Sequence, residues 1–315
     1  MSSTSSCTKC GGPAFYVRRY SGETLCQPCF RASIVEKTRR TIGKYSMLSH
    51  GDKVGVAVSG GKDSLSLLKI LHSLGESRRY KLVALTVDEG VQGYRDESIA
   101  HAAEAAKELG VPHVLVSYKE LFGFDLDSAL DWRDEREVSS CNVCGVFRRR
   151  AIDEAAERAG VEIIATAHNL DDFVQTFMMN LMHGDVERLG WLDPLIADTD
   201  FRFRRIKPFM DIYEEEVALY AHLSSLPFQS TNCPYMHEGL RSEVRDYLNE
   251  LESKHPGMKN VLLSSAVQVA SRLSAPGPEP IPCASCGKPS TKGTCNVCRM
   301  KRLVEQHTKY TAQST

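Results

Sequence analysis

Apolar positions fall into two rhythms along residues 51–210. Short apolar runs at 53–58, 81–87, 113–118 and 161–167 have the length and β-branched content of buried strands. Between most of them apolar residues recur at three- and four-residue spacing. The set Leu65, Leu67, Leu68, Leu71 and Leu74, closed by Gly75, is the clearest such helix. Strands about thirty residues apart are the mark of βαβ units. The pattern therefore predicts an α/β fold, a doubly wound parallel sheet with helices on both faces. Ligands of such sheets sit beyond the carboxyl ends of the strands. That rule gathers Ser59–Ser64, Val87-Asp88-Glu89-Gly90 and Ala167-His168-Asn169 along one rim.

Outside this region the rhythm changes. Arg31 to Leu48 reads as an amphipathic helix whose Arg39, Arg40 and Lys44 form a solvated face. Residues 212–272 read as helical, broken by a loop around Cys233. A Pro- and Gly-rich stretch, 274–280, reads as a linker.

The hinge of the first βαβ unit is Ser59-Gly60-Gly61-Lys62-Asp63-Ser64. Two glycines let backbone approach a ligand, and the free N–H groups of a helix start favour an anion, most naturally phosphate. The Walker pattern fails because Asp63 stands where Ser or Thr belongs, and the dinucleotide fingerprint G-x-G-x-x-G fails too. What remains, S-G-G-x-D-S after a strand, resembles the PP-loop of the ATP pyrophosphatases. Those enzymes hold the pyrophosphate part of ATP and leave its α-phosphorus open to attack.

Composition narrows the setting. Apolar residues make up 42% of 315 residues, net charge is −1, and no apolar run approaches the ~18 residues of a membrane span. The serine-rich start lacks a hydrophobic signal region, so a cytoplasmic protein is expected. RNA contact would have to come from local patches rather than from the overall field.

Eleven cysteines in such a chain point to metal or redox chemistry rather than disulfides. Cys7-x-x-Cys10 and Cys26-x-x-Cys29, with fifteen residues between the pairs, suit a closed structural zinc site, and so do Cys283-x-x-Cys286 and Cys295-x-x-Cys298, eight residues apart. The remaining three, Cys141, Cys144 and Cys233, do not close a zinc site. Two readings stay open for them: an iron–sulfur cluster on three thiolates with one iron left open, or a reactive pair carrying a persulfide. On this basis the chain divides into a zinc ribbon (1–30), a linking helix (31–50), an ATP-binding domain (51–210), a helical extension carrying Cys233 (211–275) and a zinc knuckle with tail (276–315).

Three polar clusters complete the candidates. Arg148, Arg149 and Arg150 follow the central CxxC, and planar guanidinium suits phosphate of ATP or RNA. Phe201-Arg202-Phe203-Arg204-Arg205-Ile206-Lys207 suits either an unstacked RNA strand or a β-strand with one charged face. In His168-Asn169-Leu170-Asp171-Asp172 the paired carboxylates suit magnesium on ATP or proton transfer, although helix capping would account for one of them. Asp88 reads equally as a site carboxylate or as a satisfied turn residue.

Taken together, the zinc modules at both ends, Ser59–Ser64, the block from Val87 to Asp96, Cys141-Asn142-Val143-Cys144-Gly145-Val146-Phe147-Arg148-Arg149 and His168–Asp172 are similar to the tRNA 2-thiouridine synthases of the NcsA and TtuA type. The similarity spans Cys7 to about Arg302, and its long blocks resemble the wobble-uridine branch more than the T-loop branch. Ala167 departs from the family's usual glycine.

The resemblance implies ATP with magnesium on Ala57, Val58, Ser59, Gly60, Gly61, Lys62, Asp63 and Ser64, with Val87, Ala167, His168, Asp171 and Asp172 around it. Lys62 and Asp63 would lie at the phosphates, and Val87 would read adenine by its backbone. Asp172 is preferred over Asp171 as the magnesium or ATP ligand. The uridine O2 would attack the α-phosphorus and release pyrophosphate, with Arg148 offsetting the developing charge. Cys141, Cys144 and Cys233 would hold a 4Fe-4S cluster whose sulfide displaces AMP. A tRNA substrate, a sulfur donor (a ubiquitin-like thiocarboxylated protein or free sulfide) and a homodimer belong to the same expectation. The competing readings are a PP-loop amidating or ligating enzyme, which has no use for the three cysteines, and a non-catalytic zinc-ribbon RNA-binding protein.

Overall fold

Five parallel strands form the centre of the molecule. The structure is a computed structural model that describes residues 6–78, 80–131, 138–195, 203–229, 231–235, 240–273 and 279–313. Most of the expected linker, together with Phe201 and Arg202, lies outside these residues.

A two-stranded ribbon, β1 (Tyr16–Arg18) and β2 (Glu23–Leu25), leads into helix α1 (Gln27–Lys44). The chain then alternates through β3 (Lys53–Ala57), α2 (Lys62–Arg78), β4 (Lys81–Asp88), α3 (Arg95–Glu108) and β5 (His113–Ser117). Two short helices, α4 (Tyr118–Phe122) and α5 (Leu126–Leu130), precede α6 (Ser140–Ala159), β6 (Ile163–Ala165), α7 (Leu170–Met182) and α8 (Val186–Gly190). After β7 (Arg204–Ile206) come α9 (Glu214–Leu223), α10 (Arg241–Lys254) and α11 (Met258–Leu273). The chain closes with the hairpin β8 (Ile281–Pro282) and β9 (Pro289–Ser290) and with α12 (Asn296–Gln313).

The sheet order is β5-β4-β3-β6-β7, every neighbour parallel. All four expected strands are present. The segment 203–207 supplies a fifth at the edge, so its charged-face reading holds. Arg204 donates to the carbonyls of Ser46 (3.2 Å) and Met47 (2.8 Å), and Arg205 pairs with Asp153. These cations are occupied in holding the edge strand.

Side chains alternate across the sheet as the pleat requires. Val54, Val56, Val58, Leu82 and Ala84 join one core, while Val83, Leu85, Val87, Val116 and Ile164 join the other. Because the chain winds outward from β3 to β5 and then returns to β6, the connections leaving β3 and β6 diverge. A crevice opens between them at the carboxyl ends, as a topological switch point requires.

Helix α1 starts earlier than its apolar pattern alone indicates. Pro28 in its first turn favours helix entry directly after Cys26, so Cys29 lies within the helix. Its inward face carries Phe30, Ile34, Thr38, Thr41 and Ile42, while Arg39, Arg40 and Lys44 face solvent as expected.

A buried carboxylate fastens the ribbon to the sheet domain. Glu216 of α9 has no exposed side-chain surface, and it receives Arg18 Nε at 2.6 Å, Lys37 Nζ at 2.9 Å and the Tyr20 hydroxyl at 3.0 Å. Tyr20 also stacks on Tyr213, ring centres 4.6 Å apart. At the other end of the chain, Lys288 bridges to Glu154 and Glu157 of α6, and Val297 and Met300 pack into the second core.

Removing one partner of a buried ion cluster strands the rest without compensation. Glu216→Ala is therefore expected to cost about 3–5 kcal/mol, read as a lowered urea midpoint at saturating zinc.

Candidate active site

The crevice at the switch point begins with the turn after β3. Gly60 has φ +83°, and a Cβ there would lie 1.9 Å from the Ser98 carbonyl oxygen, so no larger residue fits. The Ser59 N–H donates to Ser64 Oγ (3.1 Å), and Ser64 Oγ donates to the Gly61 carbonyl (3.0 Å). These bonds hold the turn against the start of α2, whose first amides have no partner within the helix. Ala57 ends β3 and Val58 follows it into the core. Both backbone groups of Val58 are engaged, its N–H with Leu85 O and its carbonyl with the Thr86 hydroxyl.

Lys62 stands between two carboxylates, with Asp63 Oδ2 and Glu214 Oε1 each 3.0 Å from its Nζ. Asp63 Oδ1 is buried with no hydrogen-bond partner. Burial pushes the Asp63 carboxyl up to about 6, Lys62 opposes the shift, and Glu214 and Asp172 add to it. An orphaned carboxylate oxygen beside further carboxylates and a lysine is a donor set suited to a divalent cation on a polyphosphate. Glu214 is a residue the sequence reading missed. Its only signal is the acidic triplet Glu214-Glu215-Glu216 opening a helix.

The two aspartates after β6 part ways. Asn169 and Asp172 form a reciprocal capping box on α7, with Asp172 N–H to Asn169 Oδ1 at 3.0 Å and Asn169 N–H to Asp172 Oδ2 at 3.2 Å. Asp172 still faces the crevice, where Arg241 reaches its Oδ1 at 3.4 Å. Asp171 turns inward instead, pairing with buried Lys259 and accepting the Glu214 N–H at 2.8 Å. His168 lies on the open side, with Nδ1 2.9 Å from the Thr166 hydroxyl. Desolvation at the crevice lowers its pKa against the pull of Asp172, and Lys207, Arg241 and Arg148 lower it further.

Asp88 is a turn residue, since its Oδ1 accepts the Gly90 N–H at 2.8 Å. The Val87 carbonyl accepts from Arg95 Nη2, and Arg95 Nη1 reaches the Ser59 carbonyl at 3.1 Å. Buried Arg95 thus ties the loop after β3 to the strand end of β4, a contact that no sequence spacing announced.

The CxxC lies in the first turn of α6, behind the N-cap Ser139. Cys141 is exposed and Cys144 buried, and the Tyr118 hydroxyl donates to the Cys144 carbonyl at 2.8 Å. Burial raises the Cys144 thiol, while Arg148, whose Nη2 is 3.0 Å from its Sγ, favours the thiolate. Cys233 arrives on a separate segment fastened at two points. The Gln229 N–H contacts the Gly60 carbonyl at 3.4 Å and its Nε2 binds the Tyr94 carbonyl, while Tyr235 Oη donates to Asp127 at 2.8 Å.

The three arginines after the CxxC have different settings. Arg148 faces the crevice, Arg149 stands beside Arg188 and Arg205, and Arg150 points toward Cys286 (3.8 Å) and Cys295 (4.0 Å) of the C-terminal module.

Two four-cysteine groups each bring their Sγ atoms within 4.8 Å of one another: Cys7, Cys10, Cys26 and Cys29, and Cys283, Cys286, Cys295 and Cys298. Backbone N–H groups pull the Cys7 and Cys283 thiols down to about 6, as suits thiolate ligands of zinc. Cys141, Cys144 and Cys233 form no such tight group, yet they influence one another's ionisation. Three thiols set wider than a single ion requires fit a cluster in which each cysteine binds a different iron.

Comparison with known proteins agrees with this geometry. Residues 34–251 match the PP-loop domain family, and residues 6–31 match the N-terminal LIM domain of the 2-thiouridine synthetase TtuA. The chain is thus a PP-loop nucleotide-binding protein with cysteine modules at both ends. The tRNA 2-thiolation protein NcsA of Haloferax volcanii is 36% identical over 315 residues, covering 95% of this chain and 98% of that one. Cytoplasmic tRNA 2-thiolation protein 1 of Drosophila melanogaster is 34% identical over 294 residues, covering 92% and 85%. In structure, the U34-tRNA thiolase NcsA from Methanococcus maripaludis, solved with its [4Fe-4S] cluster, matches with a TM-score of 0.81 at 32% identity, covering 96% of this chain and 97% of that one. The chain belongs to the tRNA 2-thiolation family of PP-loop enzymes, as its motifs implied.

Asp63 generates a pH test. Its folded pKa lies above the ordinary 3.8, so the folded state binds the proton more tightly than the unfolded state does. The stability this contributes is present below the ordinary value and is lost as pH rises through about 6. Asp63→Asn is expected to stabilise the protein at pH 7.5 by at most about 3 kcal/mol relative to its effect at pH 4, measured by thermal unfolding at both values.

Proposed function

We propose that this protein binds ATP on Ser59–Ser64, adenylates the C2 oxygen of the wobble uridine of a tRNA, and replaces that oxygen with sulfur. The observation that carries the reading is the position of Arg148. It touches the thiol of Cys144 and pairs with Glu89, which Arg95 joins to the Ser59 and Val87 carbonyls at the crevice. One cation therefore lies between the place for ATP and the place for sulfur. The wobble position is supported by the match to the U34-tRNA thiolase NcsA from Methanococcus maripaludis.

Each side chain has a task in this scheme. Lys62 offsets the charge of the phosphates, and the first amides of α2 receive them. Asp63 and Asp172, with Glu214 beside them, are the residues that would hold magnesium, which when bound would offset phosphate charge. The uridine O2 attacks the α-phosphorus, the bond to pyrophosphate breaks, and Arg148 stabilises the charge that develops at the phosphorus. A sulfur nucleophile then bonds to C2, and the original oxygen leaves with AMP. Cys141, Cys144 and Cys233 are the residues that would hold a 4Fe-4S cluster, which when bound supplies a Lewis-acidic iron able to carry sulfide. Tyr118 fixes the Cys144 backbone, and Gln229 and Tyr235 hold the segment that brings Cys233 to the other two. The Cys7 and Cys283 groups hold structural zinc.

We divide the chain functionally into the ribbon at 1–30, the linking helix at 31–50, the ATP-binding domain at 51–210, the extension at 211–275 and the knuckle at 276–315. The sulfur donor is a thiocarboxylated ubiquitin-like protein or free sulfide, and the protein acts as a cytoplasmic homodimer. Exposed Leu181, Met182, Val186, Trp191 and Leu195 along one segment support self-association. No helix among the described residues is long and apolar enough to cross a membrane.

The test is an anaerobic reaction of iron-reconstituted protein with ATP, sulfide and unmodified tRNA, read by nucleoside mass spectrometry after fragment mapping. Thiouridine at the wobble position is expected, falling by at least about 10²-fold in Lys62→Ala and lost in Cys233→Ala. Thiouridine in the T-loop would keep the chemistry and overturn the site. Amidated product with the three cysteines dispensable would overturn the reaction class.

A further inference from the structure

The turn after β4 holds a charge that the scheme above leaves without a task. Glu89 lies inside the protein, its side chain 5% exposed, and two arginines close on it from different segments. Arg148 Nε lies 2.7 Å from Oε1 and Arg95 Nε lies 2.6 Å from Oε2. The Glu89 backbone is held as well. Its carbonyl accepts the Leu126 N–H at 2.7 Å, and the next residue, Gly90, has φ +72° and no room for a Cβ against Asp125.

Each arginine carries the connection onward. Arg95 binds the Ser59 and Val87 carbonyls, which are the nucleotide turn and the strand end beside it. Arg148 places Nη2 on the Cys144 sulfur. An unbroken run of charged contacts therefore joins the nucleotide turn to the cysteine helix, with Glu89 at its middle.

We propose that Glu89 is a positioning residue that holds the Arg148 guanidinium at the junction between the nucleotide crevice and the cysteines. Arg148 is half-exposed, and an unanchored arginine at such a surface samples many rotamers. A carboxylate fixed on Nε leaves the planar fork in one orientation, with its Nη groups directed at the sulfur and the crevice. The same carboxylate lets Arg95 and Arg148 approach one another, since without it two guanidinium charges would face each other unscreened. A glutamine has the same shape but no negative charge to pair with two guanidinium cations, and an aspartate is a methylene too short to meet both. The catalytic consequence rests on the thiolation reading, whereas the positioning itself does not.

The test compares Glu89→Gln, Glu89→Asp, Arg148→Gln and the double variant Glu89→Gln/Arg148→Gln. In cluster-free protein, the Nε–Hε signal of Arg148 is followed by arginine-selective NMR and assigned by its loss in Arg148→Gln. In wild type this signal is expected to be displaced and slowly exchanging, and in both Glu89 variants it should move to the position of free arginine. In reconstituted protein, Glu89→Gln is expected to slow single-turnover thiolation by on the order of 10²-fold. The double variant should be no slower than Arg148→Gln alone, because residues acting through one another are not additive.

An Arg148 signal unmoved in Glu89→Gln, or losses that multiply in the double variant, would overturn the proposal. Zinc content and cooperative unfolding report folding. If Glu89→Gln fails on these, the charge-retaining Glu89→Asp decides by the same NMR comparison. If wild type forms no thiouridine at all, the thiolation reading fails while the NMR result still decides whether Glu89 positions Arg148.

Discussion

An ionised carboxylate inside a protein costs several kcal/mol unless cations and hydrogen-bond donors meet it at close range. Three such carboxylates organise this molecule, and each is met by groups from another segment. Glu216 takes Arg18 and Tyr20 of the N-terminal ribbon and Lys37 of α1. Asp171 takes Lys259 of α11 and the amide that opens α9. Glu89 takes Arg95 of α3 and Arg148 of α6. Because a partner left behind would be an uncompensated buried charge, these pairs specify which segment docks where. The apolar cores supply the bulk of the burial but little of that discrimination.

The sheet turns these fastenings into a site. Its switch point separates the connections after β3 and β6, and α9 enters the gap with Glu214 pointing at Lys62. The groups lining the crevice thus come from the ends of two strands and the start of a distant helix. The cysteines reach the same crevice from the opposite side, two on the first turn of α6 and one on a segment held by the nucleotide turn itself. The C-terminal module packs behind α6, with Arg150 directed at its thiols, so the helix bearing Cys141 and Cys144 is braced at its back as well.

Much of this was legible in the residues alone. Strand positions, the phosphate-binding turn and the two four-cysteine modules are local, with their signals in periodicities of two and 3.6 residues or in short spacings around a glycine or cysteine pair. The grouping of eleven cysteines as four, three and four already set two closed four-thiol groups apart from the remaining three. Family membership followed from blocks of contiguous motif. The turn role of Asp88 and the solvated face of α1 were likewise among the readings open at that level.

What only the tertiary structure decided concerns groups that meet across long sequence distances. Asp171 and Asp172 are adjacent and chemically identical, yet Lys259 draws one inward while the α7 cap keeps the other at the crevice. Arg148, Arg149 and Arg150 read as one cationic block, but the 100° turn of a helix sends them to three different surroundings. Glu89, Arg95, Glu214 and Gln229 carry no motif that names their role, because a long-range ion pair leaves no spacing to recognise. Local order was written in the sequence by steric and hydrophobic periodicity. The assignment of charges to one another had to wait for the fold, since Coulomb energy depends on distance in space and not along the chain.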